Sequence, residues 1–140
     1  MEMKVRYINK VEVCAAQHLR SVLAFAPTGQ AFTGGEYIPF RDLPLAGLAA
    51  LEQTSELQDG ARIWTSRLTA VLRCPFVPPL RPVAFRLTMT DGTRLLMGLG
   101  ERPHPTADVQ AQREAKAGGA SALTLVAEWK GPFPVLEAVD

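Results

Sequence analysis

Two cysteines, Cys14 and Cys74, and two histidines, His18 and His104, are all that 140 residues offer of the side chains that most often carry metals or nucleophilic chemistry. Two cysteines are too few for a disulfide framework, so two free thiols are expected, with a single Cys14–Cys74 bond as the alternative. A metal centre needs about three or four ligands. Cys14 and His18 stand at a spacing that would share a metal on a helix, but no Cys-x-x-Cys or second histidine pair lies near them, and no metal or other cofactor is expected. No apolar run approaches the roughly 18 residues of a membrane-spanning helix. The opening MEMKVRYINK is charged and alternating, without the apolar stretch of a secretory signal, which points to a cytoplasmic protein and no membrane partner. Charge of one sign is also missing: 15 Lys+Arg against 14 Asp+Glu leave a net charge of +1. The arginines, among them Arg62, Arg67, Arg73, Arg81, Arg86 and Arg94, are scattered rather than gathered in a basic stripe, so no nucleic-acid partner is expected.

Signature motifs are equally scarce. There is no G-x-S-x-G, and Ser21, Ser55, Ser66 and Ser121 have no local base. No P-loop occurs. Gly98-Leu99-Gly100 begins like a dinucleotide-binding turn, but Pro103 falls where the third glycine or its helix belongs. What remains is the segment Glu101-Arg102-Pro103-His104-Pro105. Glu101 and His104 are the candidate catalytic pair, because a carboxylate and an imidazole on one loop can act as general acid and base. The competing account is a rigid turn carrying the chain away from the preceding strand.

What the chain does hold is alternation and turns. Apolar residues make up 47% and charged residues 21%, as in an ordinary globular protein, and 11 glycines with 11 prolines suit many turns between short strands. The clearest element is a hairpin from Arg81 to Gly98. Val83, Phe85, Leu87 and Met89 alternate with Ala84, Arg86, Thr88 and Thr90. Asp91-Gly92 then offers φ > 0 at both central positions of a two-residue turn, and Thr93 to Gly98 returns. Ala61 to Arg73 reads as a long strand with Trp64, Ser66, Leu68, Ala70 and Leu72 on one face. Ser121 to Lys130 reads as a last strand with Leu123, Leu125, Ala127 and Trp129 together. In Met3 to Cys14, Val5, Tyr7, Val11 and Val13 alternate with Lys4, Arg6, Lys10 and Glu12, with a turn or bulge at Ile8-Asn9-Lys10. His18 to Phe25 is read as strand, although Leu19, Val22, Leu23 and Ala26 also fit a helical period.

Other segments are assigned by composition. Pro27 to Gly35 is a loop, and Tyr37 to Phe40 is extended because Ile38 precedes proline. Asp42 to Gln53 is the best helix, with Asp42 as cap, Pro44 in the first turn and Leu45, Leu48, Ala49 and Leu51 as its stripe. Cys74 to Pro82 carries Pro75, Pro78, Pro79 and Pro82 and is a stiff connector or arm, not a central strand. Residues 106–119 are a short exposed helix or mobile segment, and 131–140 an extended tail whose Phe133, Val135 and Leu136 pack on a neighbour. The fold expected is a single mainly β domain over 1–140, an antiparallel sandwich or barrel-like sheet with one or two short helices.

The stretches TDGTRLLMGLGERPHP and SALTLVAEWKGPFPVLE, within Ala61 to Leu136, resemble small β-rich structural proteins of bacteriophage tails and related prophage modules. The shared pattern is a strand, a D-G turn, a short returning strand ending in glycine, a proline-containing loop and a late closing strand. No site residue is carried over. The resemblance implies a virion component, a homo-oligomer or a partner of other structural proteins, with loops and tails as the contacts. Beside this non-enzymatic reading stand two alternatives: a small enzyme or ligand-binding module with its site at 99–105, and an accessory domain that binds a peptide along an open sheet edge.

Overall fold

The computed structural model describes residues 2–19, 23–25, 30–32, 38–74, 76–100, 102–112, 122–132 and 134–139. Eleven strands account for most of them: β1 Glu2–Ala15, β2 Leu23–Phe25, β3 Gln30–Phe32, β4 Arg41–Leu43, β5 Ala49–Gln58, β6 Ala61–Leu72, β7 Val83–Met89, β8 Arg94–Met97, β9 Thr106–Gln112, β10 Ala122–Gly131 and β11 Leu136–Val139. The only helical piece among the described residues is a four-residue 3-10 turn, Ala16–Leu19. All strands belong to one hydrogen-bonded sheet in the order β2-β3-β11-β8-β7-β1-β5-β6-β10-β9, with β4 also paired to β1. Every pairing is antiparallel except β3 with β11. The order has two ends, so the sheet is open rather than a closed barrel, and the protein is mainly β.

A single sheet buries one face only by folding over itself. Val11, Leu51, Leu68, Phe85, Leu87, Leu125 and Ala127, from five different strands, are each fully buried in one core cluster. The connector between β8 and β9 closes one end of that core: the Trp129 indole N–H on β10 donates to the Pro103 carbonyl at 3.0 Å. On the opposite face, Cys14, Leu19 and Ala84 form a second cluster, with Ile38 and Phe40 packed against it.

The inward positions of β6 and β10 are those the alternation gave: Ser66, Leu68, Ala70 and Leu72 face Trp129, Ala127, Leu125 and Leu123 in register. The β7–β8 hairpin forms as expected, but its turn differs. Gly92 has φ 93°, whereas Asp91 stays at negative φ. The Asp91 side chain accepts the Thr93 N–H at 2.9 Å, an Asx-type turn in a longer loop. The tight two-residue turn with both residues at positive φ is instead Asp59-Gly60, at 50° and 80°, directly joining β5 to β6.

β1 departs from its reading. Ile8 pairs with Met89 and Lys10 with Thr88, so two steps on β1 oppose one on β7 and a bulge sits at Asn9. The bulge reverses which side chains face inward. Before it, Lys4, Arg6 and Ile8 lie on the core side opposite Gln53, Leu51 and Ala49. Beyond it, Val11 and Val13 point inward and Lys10 and Glu12 outward. Val5 and Tyr7, read as companions of Val11 and Val13, are therefore on the outer surface at 43% and 59% exposure.

The helix over Asp42–Gln53 does not form: the segment is β4, a connection and the start of β5. Ala49 and Leu51 satisfy a period of two as well as the helical stripe, and pairing with both β1 and β6 decides the matter. β4 and β5 run along the same side of β1. The chain between them detours to the end of β6, where Ala46 N–H donates to the Val71 carbonyl and Arg73 N–H to the Pro44 carbonyl.

Three further assignments change. Within Pro27–Gly35, Gln30–Phe32 is strand β3 rather than loop. In His18–Phe25, His18 and Leu19 belong to the 3-10 turn and Leu23–Phe25 is strand β2; residues 20–22 lie outside the described residues. Thr106–Gln112 is strand β9, paired with β10 along its length, instead of a short helix or mobile segment; residues 113–121 lie outside the described residues. The tail is structural too: β11 inserts between β8 and β3, and Val135 and Leu136 are buried. Phe133 lies outside the described residues. Cys74–Pro82 is irregular at its described residues, as its prolines require.

Candidate functional site

The loop that sequence singled out does not assemble a described acid–base pair. Glu101 lies outside the described residues. His104 is half-buried in a shallow cleft of about 150 Å³ with Gln17, Arg81, Pro82 and Gly100. Its Nδ1 is enclosed and has no hydrogen-bond partner among the described residues. Among the described residues, no carboxylate lines that cleft. Pro103 serves the fold by accepting the Trp129 N–H and packing against Gly131, where an added Cβ would come within 2.7 Å of the proline ring.

Cys14 and His18 are not brought to one site. Cys14 is buried on β1, and burial pushes its thiol up to about 12, against a small opposing effect of Arg86. His18 is exposed on the 3-10 turn. Cys14 and Cys74 are both free, the second of them exposed. Among the described residues no group of three or more His, Cys, Asp or Glu is placed to hold a metal. Gly98 has φ 111° and lies against Pro105, so its role is close packing beside β7.

The larger feature was not singled out in the sequence. At the end of the core-facing surface occupied by the first half of β1, the inward side chains turn from apolar to polar. They surround a cleft of about 520 Å³. β1 supplies Lys4 and Arg6, two positions apart and so on one face. β5 supplies Gln53 and Ser55, β6 supplies Trp64, and Leu95, Val135 and Glu137 form the opposite side. Gln53 is buried, and its Nε2 donates to the buried Ser66 hydroxyl at 3.5 Å. At the rim, Arg62 donates to Ser55 Oγ at 2.9 Å.

Neither Lys4 nor Arg6 forms a salt bridge with another described residue; the one such bridge is elsewhere. Two cations beside the half-exposed ring of Trp64 suit an anion attached to a flat apolar group, by charge and by cation–π and stacking contact. Glu137 on the far side disfavours a multiply charged anion. The bulge expected at Ile8-Asn9-Lys10 is present at Asn9; what the sequence reading missed is its consequence, that Lys4 and Arg6 turn inward.

The second electrostatic locus is on the back of the same strand. Arg86 Nε and Nη2 donate to the two Glu12 carboxylate oxygens at 2.9 and 2.8 Å, a forked pair. The guanidinium lies 4.3 Å from the centre of the Phe40 ring. Burial raises the Glu12 carboxyl, but the hydrogen bonds and charge of Arg86, aided by Lys10 and Arg94, prevail and hold it below its ordinary value. With both partners satisfied and a ring as lid, this arrangement fastens β1 to β7. No family model, curated protein or solved structure matches the chain.

Proposed function

We propose that the protein is a non-enzymatic structural or assembly subunit that acts through protein–protein contacts, with copies of itself or with other structural proteins, in the manner of a phage-tail component. The observation that carries this reading is the proline arm between β6 and β7. Phe76 is buried and holds the arm to the sheet, with the Arg41 guanidinium 5.9 Å from its ring. Beyond that anchor, Val77 is 83% exposed and Leu80 fully exposed. Flanking prolines restrict the backbone, so these apolar side chains are held out in water rather than left free to collapse onto the domain. A groove of about 340 Å³ runs beside the arm, lined by Val13, Phe76, Val83 and prolines. A preorganised apolar projection and an adjacent groove are what association needs, since little ordering entropy remains to be lost on binding.

Light scattering after size exclusion, from micromolar to near-millimolar protein, with negative-stain microscopy of the concentrated sample, tests this. Mass that rises with concentration, or rings or tubes, is the expected result. Val77→Asp with Leu80→Asp should remove the arm's share of that association and weaken it, while leaving the β circular-dichroism spectrum unchanged. A strict monomer across the range overturns the reading and returns attention to a ligand-binding module.

A further inference from the structure

We infer that the free edge of β9 pairs antiparallel with β9 of a second copy, extending the sheet across a two-fold axis centred on Val109. The inference rests on the assembly reading above and names one of its contacts. β9 ends the strand order and is hydrogen-bonded to β10 on one side only among the described residues. It is seven residues long, and its register with β10 runs unbroken from Thr106↔Glu128 to Gln112↔Ala122, without a bulge. Edges are ordinarily blunted by proline, lysine, a bulge or shortness. TADVQAQ has none of these; its one charge is Asp108, exposed on the outer face.

The chemistry also selects a register. In a symmetric antiparallel pair, opposed residues must both direct their N–H groups at the partner or both away, so the axis passes through a residue. An axis at Val109 opposes all seven residues, sets Val109 against Val109 and places Asp108 across from Gln110. An axis at Asp108 would set carboxylate against carboxylate. Ala107 and Val109 are half-buried on the core-facing side, so the Val109 register also covers apolar surface left incomplete in one copy.

The test is a charge exchange at an exposed position that leaves the fold untouched. Gln110→Asp faces Asp108 twice across the axis and should weaken association about tenfold, whereas Gln110→Lys should tighten it several-fold. High salt should compress the difference. In a Cys74→Ser background, Val109→Cys should oxidise to a covalent dimer, since opposed residues lie within disulfide reach. Thr106→Cys, far from its own counterpart in this register, should not. If the chain associates but neither charge variant moves the equilibrium, or both cysteine variants crosslink equally, the β9 contact is wrong and the assembly reading stands. If the chain is monomeric throughout, both fall.

Discussion

The two halves of β1 are one strand in two environments. Residues 11–14 are covered on both sides: Val11 and Val13 face the core, while on the other face Cys14 packs with Leu19 and Ala84 and Glu12 pairs with Arg86, over which the Phe40 ring lies. Residues 4–8 are covered on one side, and there only Ile8 is fully buried, with Arg6 and Lys4 directed into a polar cleft and Val5 and Tyr7 into water. A bulge of one residue separates the two regimes. The lesson is that strand hydrophobicity alone does not say which side chains hold a β protein together; the phase of the pleat decides, and one inserted residue reverses it.

The comparison can be broken from the closed half first. Removing 132–140 takes away β11, which backs β8 and through it β7, the partner of the closed half. The expected result is an unfolded chain by circular dichroism, rather than a folded subunit that has lost a contact. Phe85→Ala, opposite Val13 in the core, should cost about 3–5 kcal/mol in urea unfolding. Deleting Asn9 tests the bulge itself. Ile8 opposite Met89 then runs straight on to Lys10 opposite Thr88, so Lys4, Arg6 and Ile8 keep facing inward and the cleft keeps its cationic lining. A change of no more than about 1 kcal/mol in urea unfolding is expected, and a larger loss would show that the local twist of the bulge is itself needed by the fold.

Glu12→Gln removes half of the forked pair on the back of the closed half and should cost about 1–3 kcal/mol at neutral pH. Because the folded carboxyl titrates below its unfolded value of 4.5, the stability it contributes is complete above that value. It is lost as pH falls through the lower folded value. Wild type should therefore show a drop in stability across that acid window that the Gln variant lacks, read as urea midpoints at stepped pH. Smallest of all, Lys4→Ala with Arg6→Ala in the open half should shift stability by less than about 0.5 kcal/mol each. A larger loss would show that the cleft is a structural element after all.

The sequence disclosed elements whose inward positions carry large apolar side chains. β6, β7 and β10 are legible from Leu68, Phe85, Leu87, Leu125 and Trp129 at alternate positions. β9 was not, because its inward places hold Ala107 and Val109, too small to outweigh the polar residues between them. β5 hid because Ala49 and Leu51 fit two periods at once, and only pairing partners distant in sequence choose between them. β11 was taken for a tail because four residues carry no periodicity. The cleft failed to show for a different reason. Lys4 and Arg6 have the look of a solvent face, and the register shift that turns them inward is set by pairing with β7.

The pairing of Glu12 with Arg86, 74 residues apart in sequence, has a consequence for the order of synthesis. β1 is made long before it can be fully used, since its second half waits for β7. The small β2–β3 pair is joined to the sheet only through β11 among the described residues, and β11 comes from nearly the other end of the chain. The short-range hairpins β5–β6, β7–β8 and β9–β10 can zip as they emerge. The centre stays unfilled until residues 136–139 have left the ribosome, so this chain spends its synthesis with exposed strand edges and completes its fold late and slowly.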